Sequence, residues 1–206
     1  DDPDSVERFA SRMQIESERL THLIQQIIDL SRIQDDDLSG DRSAISLNDL
    51  AAEAIERSET DAQAKDIEIS LAVGDTVLAY GNRMQLLSAV GNLVENAVTY
   101  SPEGSRVAVK VEQEGDQATI IVTDSGIGID EDDRTRVFER FYRVDPARAR
   151  TTGGTGLGLS IVKHVAASHG GKVELWSEPG VGSTFTLRLP AWDVEEGDEH
   201  DQNLAS

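Results

Sequence analysis

No cysteine occurs among the 206 residues, which excludes disulfides and thiolate metal sites and fits a reducing compartment. No run of about 18 apolar residues is present, so no stretch of the sequence reads as a membrane span. The first residues also lack the basic-then-apolar pattern of a secretory signal. Basic residues are scarce: 19 Lys and Arg stand against 39 Asp and Glu, a formal charge of −20. Neutralising the phosphates of nucleic acid or of an anionic membrane takes Lys and Arg, so neither is an expected partner. The familiar phosphate loops are missing too. There is no G-x-x-x-x-G-K-[ST], and the run from Gly154 fails G-x-G-x-x-G because Leu159 stands where the last glycine belongs. No repeat at a solenoid period is visible.

What is present is unevenly placed. Residues 134 to 150 hold six Arg (134, 136, 140, 143, 148 and 150) against Glu139 and Asp145, a local charge of +4 in an acidic chain. A solvated surface is one reading. The position between two glycine-rich runs favours a small polyanionic ligand. Residues 1–34 predict a long helix, with Val6, Phe9, Met13, Leu20, Leu23, Ile27 and Leu30 spaced by threes and fours and Glu16 as the interruption. Ile24 and Ile28 widen that stripe, as in a helical bundle, so a partner helix is expected. Residues 35–43 read as a linker.

From residue 44 to 190 the pattern turns to mixed α/β. A short strand leads into a helix capped near Asn48, two strands follow, and a helix spans Asn82 to Tyr100. Two hairpins turn at Gly115–Asp116 and Pro179–Gly180, with a helix from about Thr155 to His169 before the second. The expected fold is α+β: a two-layer sandwich with a mixed, mainly antiparallel sheet and helices on one face. Residues 191–206, rich in Asp and Glu, read as a disordered tail.

Three stretches carry chemistry. Asn92 and Asn96 share one face of their helix, with Tyr100 a further turn along, and lie opposite the apolar stripe. Amide oxygens suit Mg²⁺, which keeps water and phosphate ligands, although surface Asn on an amphipathic helix is equally compatible. Asp124 ends a hydrophobic strand just before Gly126 and Gly128. A carboxylate there accepts from an exocyclic amine, and glycines admit a ligand close to the backbone, but the same pattern also makes a turn. "GGTGLGLSIV" leads from glycines into a helix, which is anion-site chemistry or a flexible loop before a helix start.

In this order, "NLVENAVTYS", "DSGIGI", "VFERFYR" and "GGTGLGLSIV" resemble the N, G1, F and G2 boxes of the sensor histidine kinase catalytic domain, within the superfamily of gyrase, Hsp90 and MutL. "LTHLIQQIIDLSRIQ" resembles the second helix of the dimerisation and histidine-phosphotransfer domain, and "KHVAASHGG" is similar to the phosphate-regulon type of actinobacteria. The resemblance implies ATP and Mg²⁺ as cofactors. It implies Asn96 as metal ligand, Asn92 near metal and phosphates, Tyr100 beside adenine and Asp124 on its N6 amine. Gly126, Gly128, Gly154, Thr155, Gly156, Leu157 and Gly158 would line the nucleotide, and Thr184 would help Asp124 hold an ordered water. Arg143 and Arg148 would reach the γ-phosphate, and Phe138 and Phe141 would dock the lid. The implied partners are a response-regulator receiver domain and a second copy through the bundle. The implied location is the cytoplasmic part of a membrane-anchored sensor.

Two departures accompany this. Thr99 stands where the family usually has Lys or Arg, and the family's phosphoacceptor motif of His, an acidic residue and Arg-Thr-Pro is absent. His22 lies outside the stem's apolar seam, and His164 and His169 match ordinary positions, so the chain reads as a piece whose phosphoacceptor lies elsewhere. The alternatives are an ATPase of the same superfamily and a nucleotide-switched binding module. The ATPases resemble one another in a water-activating Glu, where this sequence has Asn92, which cannot take a proton. Asn92→Glu should therefore raise phosphate release from ATP roughly tenfold or more. Unchanged release in a phosphate assay would count against the kinase over the hydrolase.

Overall fold

The computed structural model describes residues 42–144 and 155–192, together with positions 9, 13, 17, 20, 21 and 24. Those six positions are helical, and Thr21 Oγ1 donates to the Ser17 carbonyl one turn earlier at 2.9 Å. Phe9, Met13, Leu20 and Ile24 present their side chains to solvent. The remainder of the expected stem, including His22, most of the linker and the acidic residues after Trp192 lie outside the described residues.

Strand β1 (Arg42–Ser46) begins two residues before the expected boundary. Arg42 pairs with Asn82 in the ladder to β3 (Leu78–Asn82), and its Nη2 donates to the Ser168 carbonyl at 3.1 Å. Helix α1 (Leu47–Ala64) follows directly. Its N-cap is Ser46, whose Oγ accepts from Asp49 N–H at 3.2 Å, an interaction worth about 1 kcal/mol. The cap expected near Asn48 is thus displaced by two residues. Asn48 instead pins the connection into β3, accepting from Val77 N–H at 2.9 Å and donating to the Asp75 carbonyl.

The five-stranded sheet runs in the order β2 (Glu68–Val73), β4 (Arg106–Glu114), β5 (Gln117–Asp124), β7 (Gly182–Pro190), β6 (Lys172–Glu178). Only β2–β4 is parallel, and the other three pairings are antiparallel. β1 and β3 form a separate two-stranded sheet. Period-two alternation turns Val107, Val109, Val111, Ile120, Val122, Phe185, Leu187 and Leu189 inward, all of them buried. Helix α2 (Arg83–Tyr100) meets them with Leu86, Leu87, Val90, Leu93, Val94 and Ala97, while α1 and α3 (Gly158–Ser168) flank it. The opposite face of the sheet, with Lys110, Thr123 and Trp176, is open to solvent. The architecture is therefore the expected α+β sandwich with a mixed, mainly antiparallel sheet. Among the described residues no helix is long and apolar enough to cross a membrane.

Two contacts tie the small sheet to the large one. Ala191 bridges to Ala79, and Trp192 stacks on Tyr80 with ring centroids 4.6 Å apart, so these residues belong to the fold and not to the acidic tail. His169, just after α3, accepts from Asn82 N–H through Nε2 at 3.0 Å, so its proton sits on Nδ1 and is donated to the Val165 carbonyl at 2.8 Å. A Cβ on Gly81 would lie 2.3 Å from the ring, so glycine lets the imidazole in. Burial, aided by Arg42, pushes the His169 pKa below the ordinary value against the Val165 bond. Its contribution to stability is full above the unfolded-state pKa of about 6.5 and is lost as pH falls through the lower folded-state pKa. Melting curves from pH 8 to 5 should fall more steeply for the native chain than for His169→Gln, and parallel curves would remove His169 as the cause.

Candidate functional site

Asn92, Asn96 and Tyr100 occupy successive turns of α2, a span of about 12 Å along the helix axis. Asn92 Nδ2 donates to the Ser88 carbonyl at 2.8 Å, which orients the amide. A Cβ on Gly158 would lie 2.4 Å from Asn92 Oδ1, so the start of α3 rests directly on this amide. Asn96 is half-buried, and its side chain makes no hydrogen bond among the described residues. The last turn of α2 carries no basic residue of its own. Lys65, at the end of α1, reaches across instead and donates Nζ to the carbonyls of Val98 and Thr99 at 2.9 and 2.7 Å. That ammonium is committed to the helix end and does not replace the cation missing at Thr99.

At the other end of this face stands Asp124, 8% exposed at the tip of β5. Its Oδ1 accepts from the backbone N–H groups of Gly126 and Ser183 at 2.8 and 3.1 Å, while Oδ2 has no partner among the described residues. Burial raises its pKa, and the two N–H donors oppose that rise. A Cβ on Gly126 would lie 2.7 Å from both Asp124 Oδ1 and the Tyr100 carbonyl, so this loop presses onto the end of α2. Gly128, at φ +70, would bring a Cβ to 2.0 Å from the Glu178 carbonyl. The β6–β7 turn grips the same loop through Gly180 N–H on the Ile127 carbonyl and Ile129 N–H on Ser177 Oγ, both 2.8 Å. The glycines are thus required by the protein's own backbone, where the sequence suggested the approach of a ligand.

Thr184 does not meet Asp124. It pairs with Thr123, the two hydroxyls 3.2 Å apart, and directly opposed residues share a sheet face. Asp124 pairs with Ser183 and projects from the other face. Ser183 is therefore the neighbour that sequence reasoning missed. Only the register distinguishes adjacent hydroxyl residues, and a single strand does not carry it.

Arg148 and Gly154 lie outside the described residues. Beyond them, Thr155 Oγ1 accepts from Leu157 N–H at 3.2 Å, and Phe141 N–H donates to the Gly156 carbonyl at 2.9 Å. Leu157 is fully buried, and α3 starts after it with no side-chain cap. The helix expected from Thr155 thus begins at Gly158. Unlike α1 and α2, its first turn offers backbone N–H groups without a capping oxygen, beside Asn92. Such a terminus suits an anion. Before the undescribed segment, Phe138 packs edge-on against Phe185 at 6.4 Å. Phe141, also expected to dock, is 65% exposed at φ +63. Arg136 lies over the Tyr142 ring at 4.3 Å, and Arg143 is half-buried just beyond. A separate groove of about 480 Å³ between α1 and β2 is lined by Ile55, Ile67, Ile69 and Leu71 with Glu56 and Glu59, and contains none of these residues.

A family model described as "Histidine kinase-, DNA gyrase B-, and HSP90-like ATPase" matches residues 81–193. The chain is 47% identical over 196 residues to the sensor-like histidine kinase SenX3 of Mycolicibacterium smegmatis, covering 95% of this chain and 51% of the relative. It is 36% identical to the phosphate regulon sensor protein PhoR of Pseudomonas aeruginosa, covering 93% and 43%. The chain thus spans about half the length of these relatives or less. Among solved structures, the mycobacterial sensor histidine kinase MprB superposes with a TM-score of 0.64 at 32% identity, covering 73% of this chain and 98% of that one. Full-length ShkA in complex with AMPPNP gives 0.74 at 26% identity, covering 90% and 38%.

A carboxylate whose folded-state pKa is raised stabilises the fold only below its unfolded-state pKa, and loses that contribution as pH rises through the folded value. Above the unfolded-state pKa, the carboxylate of Asp124 is therefore held at a cost. Asp124→Asn keeps an oxygen for both N–H donors and removes the charge. Its melting temperature at pH 7 should match or exceed the native value, with the difference shrinking toward pH 4. A clear loss of stability at pH 7 would contradict this.

Proposed function

Because the chain belongs to the histidine kinase-, DNA gyrase B- and HSP90-like ATPase family, we propose that it is the ATP-binding catalytic region of a sensor histidine kinase. The γ-phosphate of ATP passes to a histidine on a bundle helix outside these 206 residues, for relay to an aspartate on a response-regulator receiver domain. The whole protein works as a homodimer through that bundle, on the cytoplasmic side of a membrane to which other segments anchor it. The similarity to PhoR favours the phosphate-regulon type.

One arrangement carries this reading: a single face of α2 joins the uncapped start of α3, at Asn92, to the half-satisfied Asp124 carboxylate beyond Tyr100. Its length suits an extended nucleoside triphosphate. The free Oδ2 of Asp124 takes the adenine N6 amine, and Tyr100 packs beside the base. Asn92 and the first-turn N–H groups of α3 face the phosphates, between Gly156 and Gly158. Arg143 and Arg148 meet charge developing on the γ-phosphate.

Mg²⁺ fits this donor set. Asn96 offers an amide oxygen with no competing hydrogen bond among the described residues, which also hold no cluster of three His, Cys, Asp or Glu. That composition suits a hard cation held by one protein oxygen, water and phosphate. Bound there, the ion would neutralise phosphate charge. Asn92, which cannot act as a base, leaves water unactivated and keeps the phosphoryl group for the histidine.

The test is a calorimetric titration with a slowly hydrolysed ATP analogue, with and without Mg²⁺, followed by phosphotransfer to a separately supplied bundle helix bearing the histidine. Binding should require Mg²⁺ for full strength and weaken roughly tenfold or more in Asp124→Asn. Equal binding by that variant would remove adenine from Asp124. Nucleotide binding with no transfer to the supplied helix would leave a binding module.

A further inference from the structure

Ser177 lies in β6, 1% exposed, at the point where three segments meet. Its Oγ is 2.8 Å from Ile129 N, 2.9 Å from the Gly182 carbonyl and 2.9 Å from Ser183 Oγ. The proton count assigns the directions. Ile129 N–H can only donate and the Gly182 carbonyl can only accept, so Ser177 gives its one proton to Gly182. Ser183 Oγ–H then donates to Ser177, whose hydroxyl accepts two bonds, donates one and is saturated.

The two segments held by this hydroxyl are those that hold Asp124. Ser183 supplies one N–H to Asp124 Oδ1, and Gly126 supplies the other from the loop that ends at Ile129. Gly182 packs its α-carbon against the Asp124 backbone, where a Cβ would come within 2.1 Å of the carbonyl. The orientation of the carboxylate, and hence the direction in which Oδ2 points, depends on both donors staying in place.

We propose that Ser177 is a positioning residue for base selectivity: it fixes the Gly126–Ile129 loop and the start of β7 so that Asp124 presents its free oxygen to an exocyclic amine. It acts only through Asp124 and does not touch the nucleotide. Removing the hydroxyl leaves Ile129 N–H and Ser183 Oγ–H without their acceptor inside the protein, and the loop shifts to find new partners. The inference rests on the reading that Asp124 takes the adenine amine.

The experiment compares ADP with inosine diphosphate, which carries a carbonyl in place of the amine, by calorimetric titration of the native chain, Ser177→Ala, Ser177→Thr, Asp124→Asn and the Ser177→Ala/Asp124→Asn pair. The native chain should prefer ADP by roughly tenfold or more, and Ser177→Ala should cut that preference by roughly fivefold. Ser177→Thr, which keeps the hydroxyl, should restore it. In the Asp124→Asn background Ser177→Ala should change the ratio no further. Equal weakening of both nucleotides by Ser177→Ala, with the ratio intact, is what a merely structural serine would give and overturns the proposal. A native chain with no preference for ADP defeats the adenine reading itself, a separate failure. If Ser177→Ala does not melt cooperatively, Ser177→Cys, with a weaker hydrogen-bonding thiol, replaces it. An intermediate ratio then supports the inference and a native ratio overturns it.

Discussion

A carboxylate withdrawn from water must find hydrogen-bond donors, and the local structure of this domain is arranged around that demand at Asp124. Two backbone N–H groups supply it, from Gly126 two residues ahead and from Ser183 on the neighbouring strand. Each donor imposes a further constraint. Gly126 leaves no room for a side chain between the carboxylate and the Tyr100 carbonyl, and Gly182, next to Ser183, presses on the Asp124 backbone. The β6–β7 turn then closes over the loop, with Ser177 as its buried anchor. One oxygen is satisfied, and the other has no partner among the described residues.

Helix α2 turns this local arrangement into a site of definite length. Its buried stripe locks it to the sheet, and its opposite face presents Asn92, Asn96 and Tyr100 in line. At one end Gly158 lets α3 rest on Asn92, and at the other Gly126 touches the Tyr100 carbonyl. The helix ends are treated differently. Ser46 and Asn82 cap the starts of α1 and α2, and Lys65 satisfies the last carbonyls of α2. The start of α3 alone among these three helices has no capping side chain, and it is the one that faces the proposed phosphate position. His169 fixes the far end of α3 to the start of α2, so α3 is held to α2 at both of its own ends, at Asn82 and at Asn92.

Sequence reasoning succeeded where period and local chemistry agree. The alternation in β4 and β5, the turn at Gly115–Asp116 and the helix ending at Tyr100 emerge as read. It failed where two candidates sit side by side. Ser46 caps α1 and Asn48 does not, because the helix starts at Leu47 and Asn48 is already within its first turn. Thr184 and Ser183 are chemically alike, and only pairing with β5 shows which shares a face with Asp124. Phe138 and Phe141 are three residues apart and equally apolar, yet the backbone turns to φ +63 at Phe141 and carries it into solvent. The glycines were visible at once, but the reason for them was not, since the atoms they avoid lie far off in sequence, as with Gly158 and Asn92 or Gly81 and His169.

By itself the sequence determined the fold class, the order of elements and the identity of the family, because hydrophobic period and the spacing of amides, glycines and carboxylate are properties of short segments. It also marked the residue types proposed for a nucleotide: two amides one helical turn apart, a carboxylate ahead of two glycines, and a glycine-rich run leading into a helix. What only the tertiary structure decided is which neighbours hold them. Strand register chose Ser183 over Thr184, close packing of distant backbones made Gly126 and Gly128 obligatory, and the meeting of three segments gave Ser177 its saturated hydroxyl. Those choices depend on contacts between residues far apart in the chain, whose relative positions are set only when the sheet closes and the helices pack upon it.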